Sequence, residues 1–198
     1  MIFGVLAVVA AAHIDRGSPA LVAVVGRSAY AVLLGLQALA FATQPPSCAR
    51  DGRAWVWGAT LFATFGMVLA PLLPPGHTLW VAGAVAASVQ ASLAVVGMAI
   101  ALAAMASLPR AFSLTPQVRR LATSGMYRLS RHPLYLGEGL NIIGIMVATG
   151  SLTVVVVTAA VLAAEVVRAG LEERLLRRNF PHYDEVFGSV AHLLPGIW

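Results

Sequence analysis

The chain has 198 residues, 59% of them hydrophobic and only 11% charged, with a mean hydropathy of +0.83. A soluble domain carries roughly 25% charged residues, so this composition excludes a water-soluble globular fold and describes an integral membrane protein. The net charge of +5 rests on thirteen basic residues, all arginine, which flank apolar stretches without interleaved aromatics; that excludes a nucleic-acid surface.

Residues 1–12 are apolar but reach only about 18 Å at about 1.5 Å per residue, short of the roughly 30 Å hydrocarbon core. A signal-type apolar region, a tilted or re-entrant helix and a shortened start all stay open there. Residues 13–19 are a polar break, with Ser18 as a cap before Pro19. Residues 21–42 predict the first full span, with Arg27 snorkelling to its near interface. Residues 43–54 form a loop, because Pro45 and Pro46 stop a helix and Arg50, Asp51 and Arg53 are polar. Cys48, the single cysteine, lies in this loop and excludes an internal disulfide or a cysteine-rich metal site. No metal is expected elsewhere.

Trp55 and Trp57 mark an interface, and the second span runs from them to about residue 73. Pro74-Pro75-Gly76-His77 is a tight turn with a solvated His77. Trp80 marks the next interface. The third span covers residues 79–106, rich in small residues that let helices approach closely. Residues 107–131 are the longest polar stretch and carry Arg110, Arg119, Arg120, Arg128 and Arg131. Pro133 suits the first turn of a helix and restricts His132 to an extended conformation. A short fourth span therefore runs over residues 133–149. Gly150-Ser151 is a two-residue turn, and residues 152–167 return as the fifth span, continuing as helix to about Arg178. In the tail, His182 and His192 are expected to be solvated.

The expected fold class is all-α: a polytopic transmembrane helical bundle of about five spans, with a possible short extra N-terminal segment and a C-terminal helical hairpin with a cytoplasmic extension. It reads as one integrated membrane domain. Residues 1–106 supply N-terminal transmembrane helices; residues 107–198 supply the loop, hairpin and tail that carry the chemistry. Every arginine except Arg16 and Arg27 falls on the side of the 43–54 loop, the 107–131 stretch and the tail. The positive-inside rule places that side in the cytoplasm.

Glu138 and Glu165 fall inside or near spans, where an ionisable group costs a few kcal/mol and needs a partner or a cavity. Arg168 and Glu172 are four residues apart and share a helix face. With His132, Tyr135 and Glu138 they are expected to line one polar pocket at the mouth of the hairpin, open to water on one side and to lipid on the other. A structural ion pair between Glu138 and Arg168 is the plainer alternative.

Three strings carry a family likeness: Leu121-Ala122-Thr123-Ser124-Gly125-Met126-Tyr127, Arg131-His132-Pro133-Leu134-Tyr135-Leu136-Gly137, and Glu172-Glu173-Arg174-Leu175-Leu176 followed by Phe180 and Tyr183. Over roughly residues 110–198 the chain resembles the isoprenylcysteine carboxyl methyltransferase family and its phospholipid N-methyltransferase relatives. The resemblance implies S-adenosylmethionine as methyl donor. It places cofactor contacts at Arg119, Arg120, Leu121, Ala122, Tyr127, His132, Pro133, Leu134, Tyr135 and Glu172. It gives Arg168 to an acceptor carboxylate. For an amine acceptor, Glu138 or Glu165 is the candidate base. The partners are the lipid bilayer and a lipophilic small molecule or lipid, with carboxyl O-methylation the first expectation. Phospholipid-type N-methylation is an alternative. So is an NADPH-dependent reductase of the sterol-reductase type, which shares the Arg-His-Pro motif. The tail departs from the family pattern: Phe180-Pro181-His182-Tyr183 is one residue short, and Val186 stands at the second tyrosine position.

Overall fold

The computed structural model describes residues 35, 39, 42, 43, 47, 49–74, 76–108, 117, 118 and 121–193. Residues 1–12 and most of the expected first span lie outside the described residues. The described chain runs β1 (Ala49–Arg50), α1 (Ala54–Phe65), α2 (Ala84–Ala106), β2 (Gln117–Val118), α3 (Pro133–Thr149), α4 (Leu152–Asn179) and α5 (Tyr183–Phe187). A 3-10 segment over Gly66–Leu72 extends α1, and another over Gly125–Arg128 precedes α3. β1 and β2 pair antiparallel, Ala49 with Val118 and Arg50 with Gln117.

The protein is an all-α membrane bundle. Among the described residues three helical stretches are long and apolar enough to cross a membrane: Ala54–Leu72, Ala84–Ala106 and Leu152–Asn179. Pro133–Thr149 is a shorter apolar helix. Valines such as Val85, Val95 and Val156 point outward and exposed, as a lipid-facing surface requires.

Pro133 occupies the first turn of α3, as its fixed φ favours, and His132 before it is non-helical at φ −129° and ψ 56°. Gly150 ends α3 in the left-handed region at φ 61°, where its N–H reaches the Met146 carbonyl at 3.2 Å. That conformation favours glycine. α4 then runs unbroken for 28 residues, about 42 Å at 1.5 Å per residue. That exceeds a roughly 30 Å hydrocarbon core by about two turns.

The second span has its expected extent, Ala54–Leu72, but it is α-helical only to Phe65 and then tightens to 3-10, because Pro71 lacks an N–H and crowds the preceding turn. The third begins at Ala84 and not at residue 79. The residues before it are spent on a tie to the α3–α4 turn. Leu79 N–H donates to the Gly150 carbonyl at 2.7 Å, and Trp80 Nε1 donates to the Val147 carbonyl at 2.8 Å. Thr78 bridges Ser151, and Thr153 Oγ1 donates to the Pro74 carbonyl at 2.9 Å.

The helices pack in the order α2, α3, α4, α1, with the most extensive contact between α2 and α3. That contact is close because glycines face each other. A Cβ on Gly97 would lie 2.6 Å from the Gly137 carbonyl oxygen and 2.7 Å from Asn141 Nδ2. Gly144 lies over the Gln90 backbone further along. Small residues at such crossings let backbones touch where lipid offers no hydrophobic drive to associate.

Gly97→Val therefore forces α2 and α3 apart and is expected to cost about 2–3 kcal/mol, read as a lower melting temperature in detergent. Gly170 on α4 has open space around its Cα. Gly170→Ala is expected to stabilise by about 0.5–1 kcal/mol through helix propensity alone. Equal effects of the two substitutions would contradict the close crossing.

Candidate active site

The start of α3, the far end of α4 and the tail meet at the end of the bundle opposite the Gly150 turn. Their junction is the carboxylate of Glu173, which is 4% exposed. One oxygen, Oε1, lies 3.2 Å from His132 Nε2 and 2.7 Å from His192 Nδ1. The other, Oε2, accepts from Arg131 Nη1 at 3.2 Å and lies 3.5 Å from Arg177 Nη2. Arg131 also donates through Nε to the Val190 carbonyl at 2.9 Å and through Nη2 to the Phe187 carbonyl at 2.7 Å. The backbone joins in. Arg131 N–H donates to the Ala191 carbonyl at 2.8 Å and His132 N–H to the His192 carbonyl at 3.2 Å.

α5 anchors this strap. Tyr183 is 2% exposed and packs on Phe187 with ring centroids 5.0 Å apart. Burial pushes the Tyr183 hydroxyl up to about 12, so it stays protonated. Arg177 lies over the same ring and bonds Asp184 at 2.9 Å.

Glu172, one residue back and about 100° round the helix, faces a second cluster. Tyr135 Oη donates to Glu172 Oε1 at 2.7 Å. Arg168 Nε lies 3.6 Å from the same oxygen, one turn down α4. The Arg168 guanidinium sits 4.7 Å above the Tyr135 ring, and His132 stacks on that ring at 5.4 Å and 7°. His132 Nδ1 approaches Glu172 Oε2 at 4.0 Å, so the imidazole stands between the two adjacent glutamates. Arg168 Nη1 also donates to Thr64 Oγ1 of α1 at 3.4 Å. Glu165 lies one turn below, buried, with its carboxylate near Gly139 of α3. Glu138 is within electrostatic reach of Glu165 and Arg168.

Tyr127, in the 3-10 segment, is within reach of Glu172 and Glu138. Its hydroxyl is set deep although part of its surface is open, and burial raises it above its ordinary value, helped by those carboxylates. It stays a donor. The peptide N–H groups that open α3 receive no side-chain cap from His132, which leaves a helix start that can take an anionic group.

Of the residues singled out in the sequence, His132, Tyr135, Arg168 and Glu172 touch one another, with Pro133 and Leu134 buried at the same helix start. Tyr127 and Glu138 border the group. Leu121 and Ala122 are half-buried ahead of the 3-10 segment. Arg119 and Arg120 lie outside the described residues. His182 is exposed, as expected, beside Glu185. His192 corrects the expectation of a solvated tail residue: its ring is held against Glu173. Arg131, Glu173 and His192 escaped the sequence reading as a group. The paired acid after Glu172 was the one signal that pointed to them.

This polar cluster lies at one end of an α-helical membrane bundle. The chain belongs to the phospholipid methyltransferase family, whose model matches residues 85–183, half of the chain. The match spans α2, α3 and α4 and ends on Tyr183. A curated relative, the nickel-cobalt-cadmium resistance protein NccN of Alcaligenes xylosoxydans xylosoxydans, is 34% identical over 80 residues. That similarity covers 39% of this chain, and the chain spans only 37% of the length of that relative.

Removing one partner of a buried ion pair leaves an uncompensated charge and costs about 3–5 kcal/mol. Glu173→Gln strands Arg131 in this way and is expected to release the strap. Hydrogen exchange at the Arg131 and His132 amides, which bond to the strap carbonyls, is expected to rise by at least about a hundredfold. Unchanged protection at those two amides would show that Glu173 does not hold the tail.

Proposed function

We propose that the protein transfers a methyl group from S-adenosylmethionine to a lipophilic acceptor at the arginine-rich end of the bundle. The bias of arginines towards that end supports a cytoplasmic placement. The observation that carries the reading is the cluster in which Tyr135 meets Arg168 and His132 through its ring and Glu172 through its hydroxyl, at the start of α3 in a chain of this family. S-adenosylmethionine, when bound, supplies an electrophilic methyl group on a sulfonium, carried beside an ammonium and a carboxylate. The donor set suits it. Glu172 is partly open, with 20% of its side chain exposed, and pairs with the ammonium. The uncapped N–H groups of α3 receive the carboxylate. Tyr127 adds a hydroxyl donor. Arg119, Arg120, Leu121 and Ala122 are assigned to the cofactor by the family motif alone.

Methyl transfer is an in-line displacement, and holding the two reactants in line supplies much of the rate. The chain's part is therefore to bind, align and exclude water, and the strap over α3 serves the last of these. A carboxylate acceptor needs no base, and Arg168 would orient it through its planar fork. Arg168, however, already faces Glu138, Glu165 and Glu172. Its charge is therefore met from within the cluster before an acceptor carboxylate arrives. That favours a second reading of the acceptor, an amine, which is cationic before reaction and must lose a proton. Glu165 or Glu138 would accept it.

Calorimetry on the detergent-purified protein tests the cofactor. Micromolar binding of S-adenosylmethionine is expected, weakened about 10- to 100-fold in Glu172→Gln by loss of one charged hydrogen bond. No binding to folded protein, with NADPH binding in its place, would transfer the chain to the reductase reading. The acceptor separates by mutation. Glu165→Gln is expected to lower kcat about 10²- to 10⁴-fold for an amine, with cofactor affinity kept. An unchanged kcat there, with the same loss in Arg168→Ala, would return the carboxylate.

A further inference from the structure

The far end of α4 carries a third face that neither the strap nor the cluster uses. Leu171, Arg174, Leu175 and Arg178 recur at the spacing of one helix face. They line, with Asp51, Gly52 and Arg53, a cavity of about 370 Å³ between α4 and the segment that leads into α1. Asp51 is bonded by Arg53 through both Nε and Nη2, so that pair is close to neutral. Arg174 and Arg178 are exposed and supply the surplus positive charge. Leu171 is buried and, with Leu175, makes the floor apolar.

The groove also has a definite depth. Leu171 lies nineteen residues beyond Leu152, about 29 Å along α4, close to the thickness of a hydrocarbon core. On α1, Trp55 and Trp57 are exposed and the Arg53 guanidinium lies 4.9 Å from the Trp55 ring centre. Exposed tryptophans beside arginine belong at the lipid headgroup layer. The cavity therefore opens at the level of the phosphates, with two arginines at its rim and leucines beneath.

We propose that this groove binds the headgroup phosphate of an anionic phospholipid, as a lipid site separate from the Arg168–Glu172 cluster. Free phosphate offers the same oxygens, but the leucine floor and the depth select a phosphate that carries acyl chains. Phosphatidylcholine fits poorly, because its phosphate is already paired with its own ammonium and that cation would face two arginines. The inference does not depend on the methyl-transfer reading, since none of the lining residues belongs to that cluster.

Native mass spectrometry of the full chain in detergent, titrated with phosphatidylglycerol, phosphatidylcholine or inorganic phosphate, tests the site. Phosphatidylglycerol is expected to be retained in preference to phosphatidylcholine. Arg174→Gln/Arg178→Gln is expected to weaken it by about tenfold or more, in line with the contribution of juxtamembrane arginines. Both side chains are exposed, so the fold should survive. Arg174→Gln alone is compared with Arg128→Gln, a loss of the same charge outside the groove, which should leave retention unchanged. Equal retention of the two lipids, unchanged binding in the double variant, or the same loss in Arg128→Gln would overturn the site. Displacement of phosphatidylglycerol by inorganic phosphate at matched concentration would overturn the lipid as its occupant.

Discussion

A carboxylate cannot be buried at the mouth of a membrane bundle unless its charge is met, because the desolvation penalty is several kcal/mol per ion. Glu173 is buried and is met from three segments: Arg131 and His132 ahead of α3, His192 in the tail, and Arg177 one turn along α4. Much else follows from that. The same Arg131 whose guanidinium reaches Glu173 gives its remaining donors to strap carbonyls. The tail, the helix start and α4 therefore move together or not at all. The position of Glu172 follows too. With Glu173 turned to the strap, the neighbouring side chain points about 100° away, towards Tyr135 and Arg168. One acid is structural and the adjacent one is left partly open.

The scaffold below does its share by proximity. α2 and α3 touch through backbone at Gly97 and Gly137, which sets the depth of α3. Gly150 fixes how α4 returns beside it. Loop residues 77–80 bond onto that turn and lock the far end of the hairpin. Close packing at one end and an ion hub at the other leave little freedom between them. The Tyr135 ring is met by a guanidinium and by an imidazole in this frame.

Where local chemistry decides, the sequence was legible. Pro133 opening α3, the Gly150-Ser151 turn and a last long helix that continues to Asn179 are all set by residues next to one another. The four residues His132, Tyr135, Arg168 and Glu172 could be grouped because the hairpin brings its two mouths together. The misses have physical reasons. Leu79 and Trp80 look like span residues, but their donors are taken by Gly150 and Val147, contacts about seventy residues away that no periodicity reports. Pro71 sits late enough in its span to tighten it into 3-10 without ending it. His192 read as solvated because the tail departs from the family pattern. Its ring nitrogen instead completes a pair with Glu173, nineteen residues earlier, and the backbone around it supplies acceptors for Arg131 and His132.

The length of α4 ties these observations to chemistry. A helix of about twenty residues is enough to span a hydrocarbon core, and one starting at Leu152 would then end near Leu171. Glu172, Glu173 and Arg177 all lie beyond that point. The extra turns carry Glu172, Glu173 and Arg177 beyond a core-spanning length, while Glu165 and Arg168 stay within it, and Glu172 keeps part of its side chain exposed. At that height one helix presents three faces: Glu165, Arg168 and Glu172 towards α3, Glu173 and Arg177 towards the strap, and Arg174 and Arg178 towards the segment before α1. A shorter α4 would keep the span and lose all but the first two of these residues. The methyl transfer proposed above needs a polar cofactor and a lipophilic acceptor to meet within reach of both solvents, and an α4 longer than a core crossing is what that reading requires.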